Sequence, residues 1–182
     1  MNIDFKGDDG MGSFFRVEGM RLIREYRNEI LWIEPWGADS LRVRGTKRAA
    51  MVQQDWALLP RSGGDTAEIS VSDDGMTAEI RNGKIAARIS ANGKISFYNS
   101  KGRLLLEEFV RSRDNLKEFV SALCINPREY PYVPGTNDFG LTVRFEAYDG
   151  EKLFGMGQYQ HPYLDLKGCT LELAQRNSQA SV

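Results

Sequence analysis

Between residues 158 and 163 the sequence gathers side chains that suit a hydroxyl-rich ligand: Gln158, Tyr159, Gln160, His161 and Tyr163. The amides, phenols and imidazole donate and accept hydrogen bonds, and the two tyrosine rings offer faces for stacking against C–H surface. A polar surface turn has the same composition, and the residues by themselves leave both readings open.

Catalysis asks for more than binding. A hydrolase needs a nucleophile with its base, two carboxylates flanking the scissile bond, or a metal with an activated water. A Ser-His-Asp set survives a bare count because His161 is present, but there is no Gly-x-Ser-x-Gly elbow, and Cys124 has no local partner motif. One histidine and two separated cysteines do not supply the clustered ligands of a zinc site, so no metal is expected. No Gly-x-x-x-x-Gly-Lys loop is present, and Gly155-Met-Gly157 lacks the third glycine and the βαβ setting of a dinucleotide fingerprint, so no cofactor is expected either. The adjacent carboxylates Asp8-Asp9, Asp73-Asp74 and Glu107-Glu108 read as surface charge rather than acid/base couples, since neighbours on a strand point to opposite faces. Trp32, Trp36 and Trp56 read as core rather than as a sugar-stacking platform. No catalytic residue is assigned.

The candidate loop needs elements to hold it. Lys152-Leu-Phe and the alternating Thr170-Leu-Glu-Leu predict strands on either side, with Gly155 and Gly157 freeing the backbone between them. Upstream, Asn28 to Trp36 and Leu41-Arg-Val-Arg predict a hairpin around Gly37-Ala-Asp-Ser. A ladder of five strands follows between Ala67 and Leu106, separated by Asp-Gly, Asn-Gly and Lys-Gly turns. Asn-Gly is the strongest hairpin signal because both residues accept φ > 0. From Glu107 to Pro134 the periodicity is mixed, with strand expected over 121–130 and at most one helical turn behind Asp114. Leu141, Val143 and Phe145 then alternate with polar residues in a further strand. Strands at about ten-residue spacing argue for an all-β fold, an antiparallel sandwich or barrel with few or no helices. Residues 1–14, rich in Gly and Asp, predict a flexible tail.

The 182 residues suit one domain, and 41% hydrophobic content is enough for a continuous core. A net charge of −1, from 24 basic and 25 acidic residues, provides no field for nucleic acid or an anionic membrane. No window holds the roughly 20 apolar residues of a membrane span. The acidic start is unlike a secretory signal, and Cys124 and Cys169 read as buried free thiols, so a cytoplasmic protein is expected.

The order Glu151-Lys-Leu-Phe-Gly-Met-Gly-Gln158, Leu164-Asp-Leu-Lys-Gly168 and Leu171-Glu-Leu-Ala-Gln-Arg-Asn177 resembles the segment that closes the N-terminal domain of glycoside hydrolase family 31. Asp39-Ser-Leu-Arg-Val-Arg44 and Leu141-Thr-Val-Arg-Phe-Glu146 fit as well. The Gly-Met-Gly-Gln form is most similar to the α-xylosidase-like bacterial branch. The resemblance implies that residues 15–182 form an antiparallel β-supersandwich, galactose mutarotase-like, belonging to a larger retaining α-xylosidase or α-glucosidase. The two catalytic aspartates would lie on a (β/α)8 barrel beyond Val182, so the 182 residues alone are expected to be inactive. The implied partners are that barrel and the oligosaccharide substrate, with residues 158–163 at the rim of the pocket. Cut from its barrel, the domain is expected to expose an apolar patch near Leu153, Phe154 and the C-terminal strand, and to self-associate. Two alternatives are a stand-alone carbohydrate-binding module and an aldose mutarotase-like enzyme. The mutarotase pattern uses two histidines with a glutamate, which the lone His161 does not match.

Overall fold

The computed structural model describes residues 14–55, 58–59, 66–111, 123–155 and 163–171. Among these residues every regular element is a strand and every pairing is antiparallel. Strands β1 (Phe15–Glu18), β2 (Arg21–Tyr26), β3 (Glu29–Pro35) and β4 (Leu41–Thr46) form one meander in chain order. A second meander comprises β5 (Glu68–Val71), β6 (Thr77–Asn82), β7 (Ile85–Ser90), β8 (Ile95–Asn99) and β9 (Leu104–Glu107). A short pair, β10 (Arg128–Glu129) and β11 (Thr142–Val143), follows. The chain divides into two compact units, one up to Glu146 and one from Ala147, and all the strands lie in the first.

Alternation along the strands builds the core. Phe15, Leu22, Leu31 and Ile33 of the first sheet meet Ala78, Ile80, Ala87, Ile89 and Ile95 of the second, all at most 5% exposed. Each fully buried Leu or Ile contributes about 1.5–3 kcal/mol, so this sandwich interior is the main source of stability. Strand β3 is buried on both faces, with Trp32 and Glu34 covered on the side opposite Leu31 and Ile33.

The predicted ladder forms with strand limits within two residues of expectation, but its turns work differently. Asn82 pairs with Ile85 as the last residue of its strand, leaving Gly83-Lys84 as the loop, and Gly83 alone takes a positive φ of 57°. Asn82 stays in the sheet because its buried amide donates to the carbonyls of Gly37 and Ser40, both at 2.7 Å. The turn with two positive φ values is instead Arg27-Asn28, at 48° and 63°, between β2 and β3.

Five further expectations are corrected. Residues 139–146 do not form one long strand. Only Thr142–Val143 makes a ladder, with bridges at Phe139 and Phe145, and Leu141, Val143 and Phe145 are exposed because no described element lies on their apolar side. Residues 152–154 are not a strand, nor are residues 170 and 171 of the strand expected over 170–173, whose last two residues lie outside the described ones. Cys124 and Cys169 are free, as expected, but exposed rather than buried. In the Glu107-Glu108 pair, Glu108 is a buried residue rather than surface charge. Between 121 and 130 the strand reduces to a bridge at Ile125 and the two residues of β10, since Pro127 and Pro131 offer no ladder donor. The helical turn behind Asp114, the Tyr-rich loop at 156–162 and the N-terminal tail up to Ser13 lie outside the described residues.

Candidate functional site

Of the five predicted ligand-binding residues, Gln158, Tyr159, Gln160 and His161 lie outside the described residues, and Tyr163 is exposed. What the structure does describe is the chain on either side, residues 151–155 and 163–171. Asp165 accepts hydrogen bonds through Oδ1 from the backbone N–H of Leu153 and of Lys167, each at 3.1 Å, and Leu166 N–H donates to the Leu153 carbonyl at 2.8 Å. The backbone donors of Leu153 and then Lys167 hold the Asp165 carboxyl below the usual range, and the charges of Lys152 and Lys167 assist. Leu166 is buried, while Leu153, Phe154, Tyr163 and Leu164 stand exposed around it. These bonds tie Leu153 to residues 165–167 in one compact base.

A second constellation, which sequence reasoning missed, sits in the first unit. Arg128 donates from Nε to Glu29 at 2.8 Å, from Nη1 to both oxygens of Glu108 at 2.5 and 2.6 Å, and from Nη2 to the Gly93 carbonyl at 2.7 Å. Arg24 donates to Glu29 at 2.9 Å and to the Ala91 carbonyl at 2.6 Å, and the Tyr130 hydroxyl donates to Glu29 at 2.9 Å. Ile95 N–H completes Glu108 at 2.8 Å. Two arginines balance two glutamates, and each member has several partners, as buried charges require. Burial pushes the Glu29 carboxyl up, but the Arg128 hydrogen bond and charge, the Tyr130 hydroxyl and Arg24 outweigh it, so Glu29 lies below its usual range. Burial dominates for Glu108 and raises it, while for Arg128 burial is outweighed by Glu108 and Glu29, which strengthen its charge. The Tyr130 phenol is pushed up by burial and by Glu29. The signal available in the sequence was a charged residue at core-facing positions, Arg24 directly after Leu22-Ile23 and Glu108 beside Glu107.

On the outer face of β3, Glu34 takes two hydrogen bonds from Arg21, both at 3.1 Å, and one from Arg44 at 2.6 Å. Arg21 and Arg44 lie over the Trp32 ring, 3.8 and 5.0 Å from its centroid, and Arg42 lies 4.4 Å from that of Trp36. The capped indoles are not an open sugar platform, and Trp56 is outside the described residues. The half-buried carboxylate of Glu29 and the buried ones of Glu34 and Glu108 are each held by arginines, an arrangement suited to structural support rather than to donating or accepting a proton from substrate.

Comparison with known proteins places this architecture. The chain is 47% identical over 166 residues to a protein of Pseudescherichia vulneris named uncharacterized family 31 glucosidase ORF2, covering 86% of this chain and 31% of that one. It is 27% identical to alpha-xylosidase A of Aspergillus niger, over 91% of this chain and 24% of the relative. A crystal structure of a family 31 α-xylosidase from a soil metagenome, complexed with xylose, superposes with a TM-score of 0.81 at 43% identity, over 92% of this chain and 25% of that one. The chain thus spans about a third or less of the length of each. No protein-family model matches.

Proposed function

Because this chain belongs with the family 31 glycosidases and corresponds to the N-terminal β-sandwich domain within them, we propose that it is the non-catalytic buttress of an enzyme that hydrolyses α-linked xylose or glucose. The observation that carries this reading is the partial match itself: nearly the whole chain aligns with a quarter of an α-xylosidase, at high structural similarity. The disposition of these carboxylates supports it, since each serves an arginine. The exposed apolar side of residues 141–145 supplies a surface for the rest of the protein to cover. In this reading Gln158, Tyr159, Gln160, His161 and Tyr163 serve the leaving-group side of the substrate pocket.

The test uses the full-length gene product and the 182-residue chain side by side, on aryl α-xylosides and aryl α-glucosides. The full-length protein should turn over at least one substrate, and the short chain neither. Turnover by the short chain that survives repurification would overturn the assignment, and mutarotation that depends on His161 would favour the rival mutarotase reading. Within the full-length enzyme, Tyr159→Ala should remove stacking and a hydrogen bond, about 1 to 3 kcal/mol of transition-state stabilisation. The consequence is roughly a five- to hundredfold loss in kcat/KM on an oligosaccharide that reaches the loop, with little change on an aryl glycoside that does not. Equal losses on both substrates would mean a folding or docking defect instead.

A further inference from the structure

A groove opens at the tip of the β2–β3 hairpin. Two cavities of about 290 and 600 Å³ share Tyr26, Arg27 and Lys47 among their lining residues, so together they make one groove. Most charges that face it are already matched: Arg24 with Glu29, Arg128 with Glu29 and Glu108, Glu129 with Arg144, Glu25 with Arg16, and Arg48 with Asp138. Two cations remain. Lys47 Nζ donates to the Arg27 carbonyl at 2.8 Å and lies 5.5 Å from the Tyr130 ring centroid, and the Arg27 guanidinium lies 5.1 Å from that of Tyr26. Among the described residues neither is paired with a carboxylate.

Two details mark the groove as built. Arg27 occupies the left-handed region at φ 48°, a conformation that an ordinary side chain adopts only at a cost and that glycine or asparagine would adopt more readily. The Tyr130 ring lies so close over Gly45 that any Cβ there would clash with its hydroxyl. That hydroxyl is spent on Glu29, which fixes the ring as a wall of the groove. The unmatched cations, with the amides of Asn28 and Asn126 nearby, make a surface for a ligand that carries hydroxyls and is negative at one end.

We propose that this groove binds an anionic sugar, with Arg27 and Lys47 holding its carboxylate or phosphate and the amides of Asn28 and Asn126 meeting its hydroxyls. The anion follows from the charge balance alone, and the choice of a sugar as carrier rests on the glycosidase reading. Isothermal titration of the full-length protein with glucuronate, glucose 6-phosphate, glucose and inorganic phosphate tests it. At least one of the two sugar anions should bind, about tenfold or more tighter than glucose and than inorganic phosphate, and which of them binds identifies the anionic group. Binding should weaken by about tenfold or more between low and high salt, as ion pairing at a partly exposed site requires. Arg27→Gln with Lys47→Gln should abolish it at an unchanged melting temperature. Should that double variant fold poorly, the salt dependence in the unaltered protein still decides. Absence of binding, binding indifferent to salt or to the double substitution, or equal binding of glucose would each overturn the proposal. Equal binding of inorganic phosphate would remove the sugar from it. Failure of the glycosidase reading would be seen separately, in the aryl glycoside assay.

Discussion

Removing the Arg128 side chain would leave Glu108, itself 3% exposed, with the Ile95 N–H and no cation. Losing one partner of a buried ion pair costs about 3 to 5 kcal/mol, because the remaining charge keeps its desolvation penalty. Arg128→Met should therefore lower stability by about that much, and adding Glu108→Gln should recover part of the loss. Urea denaturation of the two variants checks this, and equal losses in both would mean that packing rather than charge sets the effect. Glu29 offers a pH signature. Its folded carboxyl lies below the usual range, so it contributes stability above about pH 4 to 5, and that contribution is lost as pH falls through the lowered folded value. Glu29→Gln should accordingly be less stable than the unaltered protein near neutrality, with the gap closing as the solution is acidified below about pH 4. A gap that is constant with pH would show that Glu29 is held by hydrogen bonding that does not depend on its charge.

At the scale of elements, the two sheets are tied at one end by turns rather than by apolar packing. The Asp39 carboxylate, in the β3–β4 turn, accepts the Lys84 N–H at 2.7 Å, and Asn82 reaches the carbonyls of Gly37 and Ser40. Gly83 makes this contact feasible twice over: its φ is positive, and a Cβ would strike the Asp39 carboxylate. Gly83→Ala combines left-handed backbone strain of about 1 to 2 kcal/mol with loss of that contact. The expected result is a lower melting temperature with the β-sheet circular dichroism retained, and an unchanged melting temperature would show that the two turns are held together by Asn82 alone. The short β10–β11 pair relies on the buried charges around Arg128 more than on its ladder, since two residues per strand make too little sheet to stand alone.

At the scale of the whole molecule, Leu141, Val143 and Phe145 call for a cover. They alternate with polar residues along the chain and are 52%, 37% and 45% exposed, with Tyr132 and Phe139 stacked edge to face nearby. A free surface of this kind is a docking face or an aggregation hazard. The 182-residue chain should sediment as a concentration-dependent mixture of monomer and larger species, and replacing Val143 and Phe145 with threonine should shift it toward monomer. A chain that stays monomeric at high concentration would count against the buttress role.

Local rules sufficed for part of this. Alternation and glycine turns set the five-strand ladder and the hairpin from Glu29 to Thr46, because strand period and turn chemistry act over a few residues. The segments around Gly155 and Lys167 carry a resemblance that the similar proteins bear out. Contacts far apart in sequence decided the rest. Glu29 meets Arg128 and Tyr130 across about a hundred positions, and no periodicity reports such a pairing. The same charge pattern that reads as surface at Glu107-Glu108 becomes, once the sheet turns one of the two inward, a buried carboxylate beside an arginine. Equally, the alternation of residues 141–145 promises a buried face, but burial requires a neighbour, and whether one exists is a property of the tertiary structure.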